Sequence, residues 1–132
     1  MATILLVEDD PNQCMLYENE LRGAGYDVVV ARDGREAVSL CGGGRADVVV
    51  MDINMPGVDG MEAMGRMLGR NHKLPIILNT AYAFYKEDFR SWAADAYIIK
   101  SSDLTELKQT IQRVLESRRP STGSLASERS SG

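Results

Sequence analysis

Residues 46–60 read ADVVVMDINMPGVDG, a short apolar run that ends in an acid and continues into a loop. Val48–Met51 is predicted to be a strand, because β-branched side chains favour extended backbone. Asp52 follows that strand directly, and the loop after it contains Pro56, Gly57 and Gly60, residue types that occur in turns. An apolar strand with polar residues at its end recurs along the chain.

Four further segments are predicted to be strands: residues 3–7, 27–31, 75–79 and 96–99. Segments with apolar residues at helical spacing alternate with the strands, at 11–21, 36–41, 61–68, 82–94 and 104–115. The strands are apolar throughout instead of alternating with polar residues, so both of their faces are predicted to be buried. Strand and helix alternate five times, which indicates an α/β domain with a parallel sheet and helices on both sides.

Length and composition limit the classes that the chain fits. A chain of 132 residues is long enough for one domain with a core. No apolar run approaches the roughly 20 residues that span a bilayer, and acids follow the first apolar run at once, so neither a membrane span nor a signal peptide is expected. We therefore expect a cytoplasmic protein, in which Cys14 and Cys41 are buried free thiols. The net charge of −4 disfavours direct binding to nucleic acid.

The C-terminal segment differs from the rest of the chain. Residues 118–132 are rich in serine and nearly lack large apolar residues. Such a composition cannot offset the entropy lost on ordering, so a disordered tail or linker is expected there. The predicted domain occupies residues 1–117.

The most informative polar residues all follow predicted strands. Glu8 and Asp9 close the first strand and Asp52 closes the third, whereas Thr80 follows the fourth and Lys100 the fifth. Ligands bind at the carboxyl ends of the strands in open parallel sheets. If the first and third strands are neighbours, the three carboxylates therefore converge on one pocket.

Three carboxylates in one place repel each other and require a positive partner. Oxygen ligands with room for water suit Mg²⁺ or Mn²⁺, and zinc is disfavoured because no histidine–cysteine cluster is present. Lys100 adds a second positive charge and Thr80 a hydroxyl. A carboxylate that faces a cation, an ammonium and a hydroxyl is well placed to attack a phosphoryl group in line, which makes Asp52 the candidate nucleophile.

The sequence resembles the receiver domain of bacterial two-component response regulators over about residues 2–117. The matching segments are ILLVEDD at 4–10, ADVVVMDINMPGVDG at 46–60, PIILNTA at 75–81 and ADAYIIK at 94–100. The resemblance implies a single, doubly wound domain of the flavodoxin-like type. Its five-stranded parallel sheet would have the strand order 2-1-3-4-5.

The resemblance also implies the roles of the acids. Asp52 would be the phosphorylation site and would help to bind Mg²⁺. Asp9 would bind the ion directly, and Glu8 would bind it mainly through water. The main-chain carbonyl of Asn54 would be a further metal ligand.

The remaining implied roles concern the phosphoryl oxygens and the response to them. Thr80 and Lys100 would contact those oxygens, and Tyr97 matches an aromatic switch position that moves inward as Thr80 moves toward the phosphate. The phosphoryl group would come from a phosphohistidine on a sensor histidine kinase or a histidine phosphotransfer protein. The receiver would catalyse only its own phosphorylation and dephosphorylation, and it would signal through altered contacts with a downstream output protein.

Two departures from the family pattern affect the segment around Lys100. Ser101 follows Lys100, where the family usually has proline. The stretch from Thr80 to Lys100 is about two residues shorter than is usual in the family. A short or displaced helix is therefore expected between the last two strands.

Two other functional classes stay open. A magnesium phosphatase with an aspartyl nucleophile usually has a second aspartate two residues later, and Asn54 in that place disfavours this class. A pseudo-receiver that binds a partner without being phosphorylated is disfavoured by the complete set of polar residues at the strand ends. The composition of the C-terminal segment fits a single-domain regulator and a receiver of a longer regulator equally well.

Overall fold

The apolar segments of the sequence form a parallel sheet in the computed structural model, which describes residues 2–41, 46–52, 60–71, 73–81, 94–101 and 103–117. The elements in these ranges are, in chain order, β1 (Thr3–Val7), α1 (Pro11–Gly23), β2 (Asp27–Ala31), α2 (Gly34–Cys41), β3 (Val48–Met51), α3 (Gly60–Arg70), β4 (Ile76–Thr80), β5 (Ala96–Ile99) and α4 (Thr105–Ser117). Three expectations fall outside them: most of the helix predicted at 82–94, the Asn54 ligand and the tail at 118–132.

The sheet has the strand order β2-β1-β3-β4-β5, and every neighbouring pair is parallel. The order is the one that the family resemblance implied, so the predicted doubly wound α/β fold is confirmed. The register pairs Val7 with both Ala31 and Met51. The last residues of β1, β2 and β3 therefore lie side by side, and the acids that follow β1 and β3 emerge at one edge.

Among the bounds that differ from the predicted ones, those of α2 and β4 have local explanations. Helix α2 begins at Gly34, two residues earlier than predicted, because Asp33 caps it: Asp33 Oδ1 accepts the N–H of Glu36 at 2.8 Å. Strand β4 begins at Ile76, since Pro75 has no N–H to donate. It extends to Thr80, whose carbonyl accepts the Lys100 N–H at 2.8 Å.

Side chains alternate between two apolar layers, one on each side of the sheet. Helices α2 and α3 cover one face, where Met64 and Met67 of α3 are at most 2% exposed. Helices α1 and α4 cover the other face through residues such as Tyr17 and Ile111. The strand residues of the α2/α3 layer include Leu5, Val7, Val49, Met51, Leu78 and Tyr97, and those of the α1/α4 layer include Ile4, Leu6, Val48, Val50, Ile77 and Ile98.

The amino edge of the sheet is fixed by two aspartates that make the same contacts. Asp47 donates its N–H to the Thr3 carbonyl at 2.8 Å, and its Oδ2 accepts the Thr3 N–H at 2.7 Å. Asp95 makes the equivalent pair with Ile76, at 2.8 and 2.9 Å. Each aspartate precedes one strand and binds the first residue of the neighbouring strand, which fixes the register of that pair.

Candidate phosphorylation site

The turn between β1 and α1 contains three consecutive acids that make different contacts. Asp10 is the N-cap of α1, and its Oδ1 accepts the N–H groups of Asn12 and Gln13 at 2.9 and 3.4 Å. Its carboxylate thereby satisfies two N–H groups that have no partner within the helix. Glu8 and Asp9 are the acids of this turn that face the edge of the sheet.

Glu8, Asp9 and Asp52 form one carboxylate cluster. Each offers an oxygen, and these oxygens lie within 4.8 Å of one another. Glu8 and Asp52 are only 2% and 8% exposed, and Asp9 is more exposed than either. The three acids therefore converge as the sequence predicted, with their more accessible side at Asp9.

Lys100 supplies the positive charge at this cluster. Its Nζ lies 2.7 Å from Glu8 Oε1 and 2.9 Å from Asp52 Oδ2. Burial opposes the charged ammonium, but the hydrogen bonds to the two carboxylates outweigh burial and raise the pKa of Lys100. Burial also raises the pKa of the Glu8 carboxyl, and the hydrogen bond from Lys100 offsets only part of that effect.

Thr80 and Tyr97 belong to the adjacent strands β4 and β5. Thr80 is completely buried as the last residue of β4, and alternation along that strand places it on the same face as Leu78. Leu78 is the register partner of Tyr97, which is 7% exposed in the α2/α3 layer. Thr80 and Tyr97 therefore lie on the same face of two adjacent strands.

The donor set fits a hard divalent cation. Three carboxylates give oxygen ligands only, and Asp9 leaves one side of the cluster accessible, as a partly hydrated Mg²⁺ requires. The cluster brings three carboxyl groups together with one ammonium, so it offers more acidic groups than Lys100 alone can pair with. A magnesium ion would supply further positive charge there.

The structure adds two relationships that the sequence did not reveal. Spacing could not show that Lys100 contacts Glu8 as well as Asp52, because the lysine side chain must reach from the end of β5 past the ends of β4 and β3 to the end of β1. The capping role of Asp10 did have a sequence signal, an acid directly before Pro11 at a helix start.

The receiver-domain model of response regulators matches residues 4–112. The chain belongs to the response regulator receiver family. The predicted function class, a phospho-acceptor receiver of two-component signalling, is thereby confirmed. No helix among the described residues is long and apolar enough to cross a membrane.

Similar solved structures include receivers with metal or kinase bound. TrrA from Thermotoga maritima, in complex with Mg²⁺-BeF, is 40% identical with a TM-score of 0.81, covering 86% of this chain and 99% of that one. TrrA in complex with the histidine kinase ThkA is 41% identical with a TM-score of 0.80, covering 87% and 99%. The receiver domain of the sensor histidine kinase PA1611 from Pseudomonas aeruginosa, with a magnesium ion in its active-site cleft, is 32% identical with a TM-score of 0.81, covering 87% and 98%.

The curated relatives are longer proteins. The regulatory protein AtoC of Escherichia coli is 38% identical over 116 residues, which is 86% of this chain and 25% of AtoC. The transcriptional regulatory protein ZraR of the same species is 32% identical over 115 residues, which is 85% of this chain and 26% of ZraR. The chain thus spans about a quarter of the length of these two relatives.

Proposed function

We propose that this receiver accepts a phosphoryl group on Asp52. The observation that carries the proposal is the contact between Lys100 and Asp52: an ammonium lies 2.9 Å from a nearly buried carboxylate at the carboxyl edge of the sheet. A cation at that distance can stabilise negative charge that develops on transferring phosphoryl oxygens.

Glu8, Asp9 and Asp52 would hold the magnesium ion, with the carbonyl of Asn54 as a further ligand from outside the described residues. The proximity of the three carboxylates supports this assignment, and Mn²⁺ would fit the same oxygen ligands. When bound, the ion would neutralise charge on the phosphoryl oxygens. Glu8 and Asp9 would hold the ion beside Asp52, while Lys100 provides a further positive charge from the protein.

The phosphodonor in this proposal is a phosphohistidine of a sensor histidine kinase or a histidine phosphotransfer protein. A carboxylate oxygen of Asp52 forms a bond to phosphorus as the phosphorus–nitrogen bond to the donor imidazole breaks, and the imidazole takes up a proton as it leaves. TrrA, which is similar over nearly all of its length, forms a complex with a histidine kinase. Water attack on the acyl phosphate reverses the modification, so the receiver catalyses only its own phosphorylation and dephosphorylation.

Thr80 and Tyr97 would transmit the phosphorylation state to a downstream output protein. They share a sheet face on adjacent strands, so a movement of Thr80 toward the phosphoryl group changes the packing next to Tyr97. NMR of ring-labelled tyrosine tests this role. The Tyr97 resonance should shift on phosphorylation of the wild type, and an equal shift in Thr80→Ala would contradict the coupling.

The proposed receiver unit occupies residues 1–117. Helix α4, the last described element, reaches Ser117 and lies within this unit. Residues 118–132 would then serve as a tail or as a linker to the output partner.

Intact mass tests the phosphorylation site. The protein is incubated with Mg²⁺ and acetyl phosphate or phosphoramidate, small donors that need no kinase. A gain of one phosphoryl group in the wild type, absent in Asp52→Asn and after chelation of Mg²⁺, is expected. Asp47→Asn, at the opposite edge of the sheet, is a matched control that should gain the group. No gain in the wild type with either donor would exclude the proposal.

A further inference from the structure

Cys14 lies in the first turns of α1 and touches the backbone that carries the acids. Its side chain is buried, at 4% exposure. The thiol donates a hydrogen bond to the main-chain carbonyl of Glu8, with Sγ and O 3.1 Å apart. The Cys14 N–H also donates to the Asp10 carbonyl at 2.9 Å. Cys14 thus binds the chain on both sides of Asp9.

The thiol completes the set of contacts that hold Glu8. The Glu8 N–H donates to the Ala31 carbonyl of β2 at 3.0 Å, and the Glu8 carboxylate accepts from Lys100 and from the Asp10 N–H. The contact from Cys14 fixes the carbonyl end of the residue. That carbonyl belongs to the peptide joining Glu8 to Asp9, so its direction sets the angle at which the two carboxylates leave the chain.

We propose that Cys14 is a positioning residue for the metal site, because its thiol fixes the Glu8–Asp9 peptide and thereby the spacing of the two carboxylates. The inference rests on the proposed magnesium site and assigns it a supporting residue on α1. Groups that orient metal ligands through hydrogen bonds affect metal affinity without touching the ion. A thiol is a weak donor, so the effect is expected to be moderate.

Three substitutions separate the hydrogen bond from the volume of the side chain. Cys14→Ala removes both, Cys14→Val keeps an apolar side chain but removes the donor, and Cys14→Ser keeps a donor. The readout is the Mg²⁺ dissociation constant from isothermal titration calorimetry, at a temperature where urea denaturation shows every variant to be folded. Cys14→Ala and Cys14→Val should weaken Mg²⁺ binding about threefold to tenfold, the range that one lost hydrogen bond produces. Cys14→Ser should fall between them and the wild type.

Cys41 provides a matched control on α2. It is also 4% exposed, and its Sγ lies 3.2 Å from the Val38 carbonyl in the same helix. Cys41→Ala should therefore lower the free energy of unfolding as Cys14→Ala does, while its Mg²⁺ affinity stays within about twofold of the wild type.

The outcomes separate this inference from the proposed function. Weaker Mg²⁺ binding in Cys14→Ala and Cys14→Val but not in Cys41→Ala supports the positioning role. Wild-type affinity in Cys14→Val, or equal losses in the Cys14 and Cys41 variants, overturns it and leaves the metal site intact. A wild-type protein that binds no Mg²⁺ overturns the proposed metal site itself.

Discussion

Lys100 Nζ donates a hydrogen bond to Glu8 Oε1 over 2.7 Å, joining two residues that are 92 positions apart in the chain. The side chains are 12% and 3% exposed, so the pair is largely removed from water. The net contribution of a buried ion pair to stability is small, but loss of one partner leaves an uncompensated charge. Lys100 is therefore the counter-charge that makes a buried carboxylate cluster tolerable before a metal binds.

Replacement of Lys100 should destabilise the protein, and added Mg²⁺ should restore part of the lost stability. We expect Lys100→Met to lower the free energy of unfolding by about 3 kcal/mol in chelator, because buried carboxylates lose their partner. Added Mg²⁺ should recover more stability in this variant than in the wild type. Urea denaturation with and without Mg²⁺ measures both effects.

Lys108→Met is the control for that measurement. The Lys108 ammonium also lies 2.7 Å from a carboxylate, Glu20 Oε1, but both side chains are more than a third exposed. An exposed ion pair contributes about 0–1 kcal/mol. Equal losses in the two lysine variants, with the same response to Mg²⁺, would contradict the assignment of Lys100.

The raised pKa of Glu8 predicts a specific pH dependence. Burial raises this pKa above 4.5, so the native state holds the proton more tightly than the unfolded chain. The contribution of Glu8 to stability therefore falls as the pH rises through the window above 4.5. The free energy of unfolding of the wild type minus that of Glu8→Gln should decrease from about pH 4 to about pH 7. Urea denaturation in the presence of chelator measures this difference. A constant or rising difference would show that folding does not raise the pKa of Glu8.

Two glycine-to-alanine substitutions should change the free energy of unfolding in opposite directions. Gly65 is an exposed residue within α3, and a Cβ there would meet no atom within 4 Å, so Gly65→Ala should stabilise by about 0.5–1 kcal/mol. Gly25 has a φ of +100°, which L side chains rarely adopt, so Gly25→Ala should destabilise by about 1 kcal/mol or more. Thermal or urea denaturation measures both, and a stabilising Gly25→Ala would contradict the backbone conformation after α1.

The contribution of the amino-edge aspartates to stability should depend on their acceptor oxygen more than on their charge. Asp95→Ala leaves the Ile76 N–H without its 2.9 Å partner and should cost about 1–2 kcal/mol of unfolding free energy. Asp95→Asn keeps an acceptor and should recover at least half of that loss. Urea denaturation compares the two. Equal losses would mean that charge, not the acceptor, holds the strand start.

The sequence predicted the layers of the fold well because apolar patterns report burial directly. It placed β1, β2, β3 and β5 at their observed residues and brought Glu8, Asp9, Asp52 and Lys100 to one edge. The strand order came from the family resemblance, since strand length and hydrophobicity alone do not determine which strands are neighbours.

Polar contacts were predicted less completely, because a side chain's partner depends on distances that the folded chain sets. The thiol contact of Cys14 had no sequence signal. The paired aspartates did have one, since an Ala-Asp dipeptide precedes both β3 and β5, at 46–47 and 94–95. The repeat identifies a shared structural task only when the neighbouring strand starts are known.

The two-layered sheet has a consequence for how such a protein can be altered. Leu78 and Tyr97 belong to the α2/α3 layer, whereas Ile77 and Ile98, which neighbour them in the same two strands, belong to the α1/α4 layer. Substitutions confined to the α1/α4 layer can therefore leave the packing around Tyr97 unchanged. The surface that α1 and α4 present to a partner can thus diverge while the side chains beside Tyr97 stay as they are.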